Sequence, residues 1–175
     1  YVYLQFFNAT TAFQYLTAVD EESGEHLFGP LDPVDFGGSG SSDYATIRLF
    51  EFNGQPYIFY SDNAGAYNIR ARKISPDGLT GAEVLLATGL TNFALPAGNT
   101  WDVLNFNDQR IVLAYSDTTV DITLQYFDED LVELTAPYDK ATYTTLSAFA
   151  DQITMSMSSS GDRFFAFASD GAPNG

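Results

Sequence analysis

Apolar and polar residues alternate with a period of two through three stretches of the chain: 45–52, 101–106 and 152–157. That period is the signature of half-buried β-strands rather than of helices. Each stretch is followed by turn residues, a nearly continuous apolar run and a Ser-Asp pair. The three following segments align without gaps: Asn53 to Asp62, Asp108 to Asp117 and Gly161 to Asp170. Their closing pairs, Ser61-Asp62, Ser116-Asp117 and Ser169-Asp170, lie 55 and then 53 residues apart. A third strand is expected from Tyr67 to Ile74 and from Asp121 to Phe127. A fourth is expected over Glu83–Ala87 and over Leu131–Leu134. Asn53-Gly54 and Asp77-Gly78 are hairpin-turn dipeptides. Each repeat is therefore expected to be a four-stranded antiparallel meander, and the pattern contains no long helix.

The N-terminal run Val2-Tyr3-Leu4-Gln5-Phe6-Phe7 resembles Ile122-Thr123-Leu124-Gln125-Tyr126-Phe127 and reads as a third strand. The expected layout is the second half of a unit over 1–19 and an acidic, Gly-rich insertion over 20–44. Whole units follow over 45–90 and 91–140, and the first half of a unit over 141–175. The chain is thus read as three repeat equivalents cut inside one unit, its two ends supplying complementary halves. Its opening, Tyr-Val-Tyr-Leu-Gln-Phe-Phe, has no initiator Met or basic leader and reads as part of something longer or processed.

A period of this length built from four strands resembles β-propeller blades in the kelch and BNR-like range. Ser61-Asp62-Asn63-Ala64-Gly65-Ala66-Tyr67 is similar to an Asp-box, although Asp follows Ser directly and the aromatic is Tyr67. The resemblance implies an all-β, propeller-like array; a β-sandwich is the alternative. Propellers carry about 4–8 blades. The missing blades would come from a longer chain, from partner copies sharing a ring, or from strand exchange between copies.

Charge changes the list of partners. With 7 Lys+Arg against 23 Asp+Glu, the net charge of -16 repels phosphate backbones and anionic lipid, so neither nucleic acid nor membrane is expected. There is no Cys and one His, so thiol catalysis, disulfides and a His-His metal pair are excluded. Calcium is the one cofactor the oxygen-rich turns would suit: Asp62, Asp117 and Asp170 at the strand ends, Asp32, Asp35 and Asp43 in the insertion, or Asp128-Glu129-Asp130. The strand-end pairs read most simply as turn caps. Asn8-Ala9-Thr10 is a glycosylation sequon. His26 reads as an exposed loop residue, and Gly37-Gly38-Ser39-Gly40-Ser41 lacks the strand-to-helix setting of a nucleophilic serine.

Aromatics are the distinctive surplus, with 15 Phe, 11 Tyr and 1 Trp. Phe belongs in the core; Tyr and Trp also serve at wet edges where sugars or proteins stack. Tyr60, Tyr67, Tyr115, Tyr126 and Trp101 are the candidate binding residues, with Tyr57 beside them. Packing between sheets is the competing role. Arg70 and Arg72 share one face of a strand and would pair with surrounding acids or with a partner. Three functions follow: an extracellular or cell-surface module recognising glycan or protein, a fibre or surface-layer subunit, and part of a carbohydrate-active enzyme, for which 23 acids provide no identifiable pair.

Overall fold

A computed structural model describes residues 2–8, 13–31, 47–62, 68–75, 77–79, 81–88, 90, 100–116, 121–135, 141–144 and 150–170. Among them every regular element is a strand, and every named pairing is antiparallel. The fold is all-β, a series of propeller-like meander sheets. It divides into two compact units, Tyr1–Thr88 and Gly89–Gly175.

The first unit holds two sheets. One is β1 (Val2–Asn8), β2 (Phe13–Val19) and β3 (His26–Leu31), in that order. The other runs β4 (Ile47–Phe52), β5 (Gln55–Asp62), β6 (Asn68–Ser75), with β7 (Gly78–Leu79) and β8 (Val84–Thr88) one after the other along the far edge of β6. The β4–β5 hairpin closes through Asn53 (φ 52°) and Gly54 (φ 74°), both left-handed, as the dipeptide predicts. Leu16, with Phe28 and Leu31, packs on Ile47, Leu49, Ile58, Tyr60 and Ile74 to join the two sheets. Gly29 is required where it stands: its φ is +89°, and a Cβ there would lie 2.7 Å from the Leu16 carbonyl oxygen.

The second unit repeats the plan. Strands β9 (Trp101–Phe106), β10 (Arg110–Ser116), β11 (Asp121–Phe127) and β12 (Ala141–Thr144) form one meander. Strands β13 (Ala150–Met157) and β14 (Phe164–Asp170) form a two-stranded sheet. Val112, Ala114, Ile122 and Leu124 pack against Ile153 and Met155 between them. The first strands of the two sheets are also tied through a side chain: the Met155 N–H donates to Asp102 Oδ2 at 2.7 Å. The Asn107 amide donates to the Gly161 carbonyl at the hairpin ends.

Three expectations change. The segment expected as an insertion contributes β3, so among the described residues three strands precede Ile47. The predicted strand at Leu131–Leu134 is instead a turn. There the Asp128 carboxylate accepts the N–H groups of Asp130 and Val132, Leu131 sits at φ 61°, and one bridge joins Glu133 to Phe127. That local Asx capture removes the backbone groups a ladder would use, and β12 takes the edge of β11. His26 opens a strand rather than lying in a loop.

Candidate functional site

The β4–β5 hairpin builds a cavity of about 540 Å³, lined by Leu49, Phe50 and Glu51 from β4, Gly54, Pro56 and Tyr57 from the turn and β5, and Val2 from β1. That volume lies within the range of small-molecule sites. The hairpin register sets the lining, with Phe50 directly opposite Tyr57 and Glu51 opposite Pro56. Phe50 is held by an aromatic cluster on its own sheet face: edge-on to Phe59 at 5.6 Å, tilted to Tyr57 at 6.3 Å and stacked on Phe52 at 6.5 Å. Such pairings fix ring orientation beyond what burial alone does. The Gln55 amide donates to the carbonyls of Pro56 and Ile74, both at 2.8 Å, which anchors the start of β5 to β6. Glu51 is exposed and contributes the carboxylate of the lining. The cavity thus wraps the edge strand β4, with Phe50 and Tyr57 on one face of the hairpin and Leu49, Glu51 and Pro56 on the other.

A second cluster lies farther along the sheet face that carries Leu49, Glu51 and Pro56. The Tyr60 hydroxyl donates to Glu83 Oε2, and Arg70 donates to Glu83 Oε1 in a salt bridge. Tyr60 and Arg70 are cross-strand neighbours, so β-sheet register sets them side by side. Arg72, two residues on, donates from Nε to the Gly81 carbonyl at 3.0 Å. Burial, then the hydrogen bond to Glu83, pushes the Tyr60 phenol far above its ordinary pKa, so it stays a neutral donor. This cluster fastens the segment before β8 to the middle of the sheet.

The other residues singled out from sequence fall as follows. Trp101 and Tyr60 are fully buried, Tyr115 nearly so, and Tyr57 with them. They are packing residues, not exposed stacking surfaces. The reason is that these sheets carry apolar side chains on both faces, so alternation does not mark a wet side. Tyr126 is half-buried against the core of the second unit. Arg70 and Arg72 do share a face and do pair within the protein, Arg70 with an acid and Arg72 with a carbonyl. Tyr67 and Asp117 lie outside the described residues, as do Asp32, Asp35 and Asp43. Asp62 ends β5 opposite Asn68, Asp170 ends β14 opposite Ala150, and Asn8 ends β1 opposite Phe13; their side chains lie outside the description. Asp128 spends its carboxylate on its own turn. Among the described residues no three His, Asp or Glu side chains gather as a metal set. His26 is exposed with Nδ1 at 2.9 Å from Thr17 Oγ1, whose own proton goes to the Phe28 carbonyl at 2.6 Å. Nδ1 must therefore be the protonated nitrogen of that pair.

The cavity residues Phe50, Glu51 and Pro56 were not singled out from sequence. Their signal was available: Asn53-Gly54 fixes the hairpin register, and that register alone pairs Glu51 with Pro56 across the turn.

No family model matches the chain, and no curated protein matches it. Among solved structures, the chain is similar to a thermostable family-43 glycoside hydrolase at 15% identity and a TM-score of 0.47, over 96% of this chain. The chain spans 64% of that protein's length. A likeness at this level carries no argument about activity. Among the described residues no helix is long and apolar enough to cross a membrane.

Proposed function

We propose that the chain is an extracellular recognition module that binds a neutral glycan in the cavity at the β4–β5 hairpin. One observation carries the reading: a single cavity wraps the β4 edge, with Leu49, Pro56 and the Glu51 carboxylate on one side of the hairpin and Phe50 on the other. A pyranose presents C–H faces that pack on aromatic and proline surfaces, and hydroxyls that donate to a carboxylate. The net charge of -16 disfavours anionic ligands and leaves neutral sugars unaffected. Glycoside hydrolysis needs a second carboxylate about 5–9.5 Å from the first. Glu51 is the only carboxylate in the cavity lining given by the described residues, so the reading is binding rather than turnover.

Titration calorimetry against a panel of neutral oligosaccharides tests it. At least one is expected to bind, and Glu51→Gln is expected to weaken that ligand about tenfold, the loss of one charge-assisted hydrogen bond worth about 1.5 kcal/mol. Glu51→Gln keeps the side chain's size at an exposed position, so the variant is expected to fold as the parent does, checked by circular dichroism. Absence of binding across the panel, or an affinity untouched by the substitution, would sink the proposal. Turnover of a bound oligosaccharide would replace it with the enzyme reading.

A further inference from the structure

Two hairpin turns place an asparagine in the left-handed region: Asn53 (φ 52°), followed by Gly54, and Asn107 (φ 56°), followed by Asp108. The two differ in what holds them. The Asn107 amide donates to the Gly161 carbonyl, and the next N–H, that of Asp108, donates to Asn105 Oδ1 at 2.8 Å. At the first turn both residues are exposed, and the ladder closes at Phe52 and Gln55, which leaves the Gly54 N–H outside it. Nothing lies within 4 Å of the place a Cβ would take on Gly54, so the approach to its nitrogen is open. Gly54 also lines the hairpin cavity, where water reaches it. Beyond the turn, the Gln55 amide pins the start of β5 to the Pro56 and Ile74 carbonyls, so local opening is confined to the tip.

We infer that Asn53 is a site of self-modification: its side chain closes on the Gly54 nitrogen and loses ammonia, and hydrolysis of the product resets the hairpin that shapes the cavity. The deprotonated Gly54 nitrogen attacks Asn53 Cγ. A new N–Cγ bond closes a cyclic imide, the Cγ–Nδ2 bond breaks, and Nδ2 leaves as ammonia with the proton that Gly54 gave up. Water then opens the ring at one of its two carbonyls. One opening leaves aspartate at position 53; the other leaves isoaspartate, in which the main chain runs through Cβ. Overall a water is consumed and an ammonia released, with no oxidant or cofactor. Glycine favours the closure because it has no side chain to crowd the attack. Either product adds a negative charge to a chain that already carries -16. Isoaspartate also lengthens the backbone of a tight turn whose geometry sets the strand register. That register holds Phe50 opposite Tyr57 and Glu51 opposite Pro56, so conversion reshapes the cavity. The effect on a glycan rests on the function proposed above; the modification itself does not.

Peptide mapping by mass spectrometry of the full chain, aged in mildly alkaline buffer, tests the inference, with a synthetic peptide of sequence 51–57 as the reference for the open turn. Conversion is expected at Asn53 and not at Asn107, and faster as pH rises, because the attacking nitrogen must lose its proton. The map separates Asn53 from Asn174-Gly175, the other Asn-Gly of the chain. The amide signals of Phe50, Glu51 and Tyr57 should shift as conversion proceeds. Asn53→Gly, which suits the left-handed φ, should abolish both changes. Should that variant not fold, the parent's own map still decides. An oligosaccharide that binds the fresh protein should bind the converted protein at least about tenfold more weakly. No binding by the fresh protein would count against the glycan reading alone. An Asn53 that stays intact while the reference peptide converts overturns the inference. So does equal conversion at Asn107, or conversion that leaves the hairpin amide signals in place.

Discussion

Replacing Trp101 with Ala is expected to cost about 3–5 kcal/mol of stability, the range for deleting a large buried aromatic. Trp101 opens β9 directly opposite Tyr115 and is completely buried. Its loss leaves a cavity where the first two strands of the meander pair. Denaturant unfolding followed by intrinsic fluorescence would lose its probe, since this is the one Trp, so far-UV circular dichroism is the appropriate readout. The transition of the second unit should move to lower denaturant, with ligand affinity at the first-unit cavity unchanged while the chain stays folded. A loss under about 1 kcal/mol joined to a loss of glycan binding would return Trp101 to the ligand-contacting role its sequence context suggested.

Glu83 carries the second large effect. Glu83→Ala removes the acceptor of both the Tyr60 hydroxyl and the Arg70 guanidinium, which leaves a buried donor and a half-buried charge in the first unit. Leaving a buried polar partner unsatisfied costs about 1–3 kcal/mol. The Arg70–Glu83 pair adds little to that, because its side chains are 21% and 26% exposed and solvent screens them. Tyr60 supplies a pH signature. Its folded pKa is raised above the ordinary tyrosine value of 10.0, so the folded state holds the phenol proton more tightly than the unfolded chain does. Its contribution is complete below that value and is lost as pH rises above it. Tyr60→Phe should therefore be less sensitive to alkaline unfolding than the parent. Equal alkaline sensitivity of the two proteins would show that the phenol does not control this transition.

Much of the architecture is legible in the sequence because it repeats. The period of two, the Asn53-Gly54 turn and the recurring Ser-Asp pairs locate β4 to β6, β9 to β11, β13 and β14 within a few residues. Of the outer strands, β1 and β8 also fall where the pattern places them, whereas β3 and the expected strand at Leu131–Leu134 do not. β3 hides in an acidic, Gly-rich segment, and its pairing bulges around Gly29, a position that breaks alternation. Leu131–Leu134 carries the right composition for a strand, but Asp128 turns it into a capped turn. Periodicity reports apolar content and not the hydrogen bonds a neighbouring carboxylate takes.

The candidate binding residues are less legible for a different reason. Tyrosines in half-polar strands suggest a wet face, yet Tyr57, Tyr60 and Tyr115 are buried. Tyr60 satisfies its hydroxyl on Glu83, 23 residues away. No local pattern encodes that partner. Phe50, which lines the cavity, looked like core from sequence and is in part just that: half-buried, clamped by three rings, with its remaining surface at the cavity wall.

Ligand recognition at the hairpin is tested most directly by amide chemical-shift mapping of the full chain, titrated with the oligosaccharide that binds tightest. The account predicts shifts concentrated at Leu49, Phe50, Glu51, Gly54 and Tyr57, with Phe165 and Phe167 unmoved. Shifts confined to β13 and β14, with the hairpin silent, would contradict it.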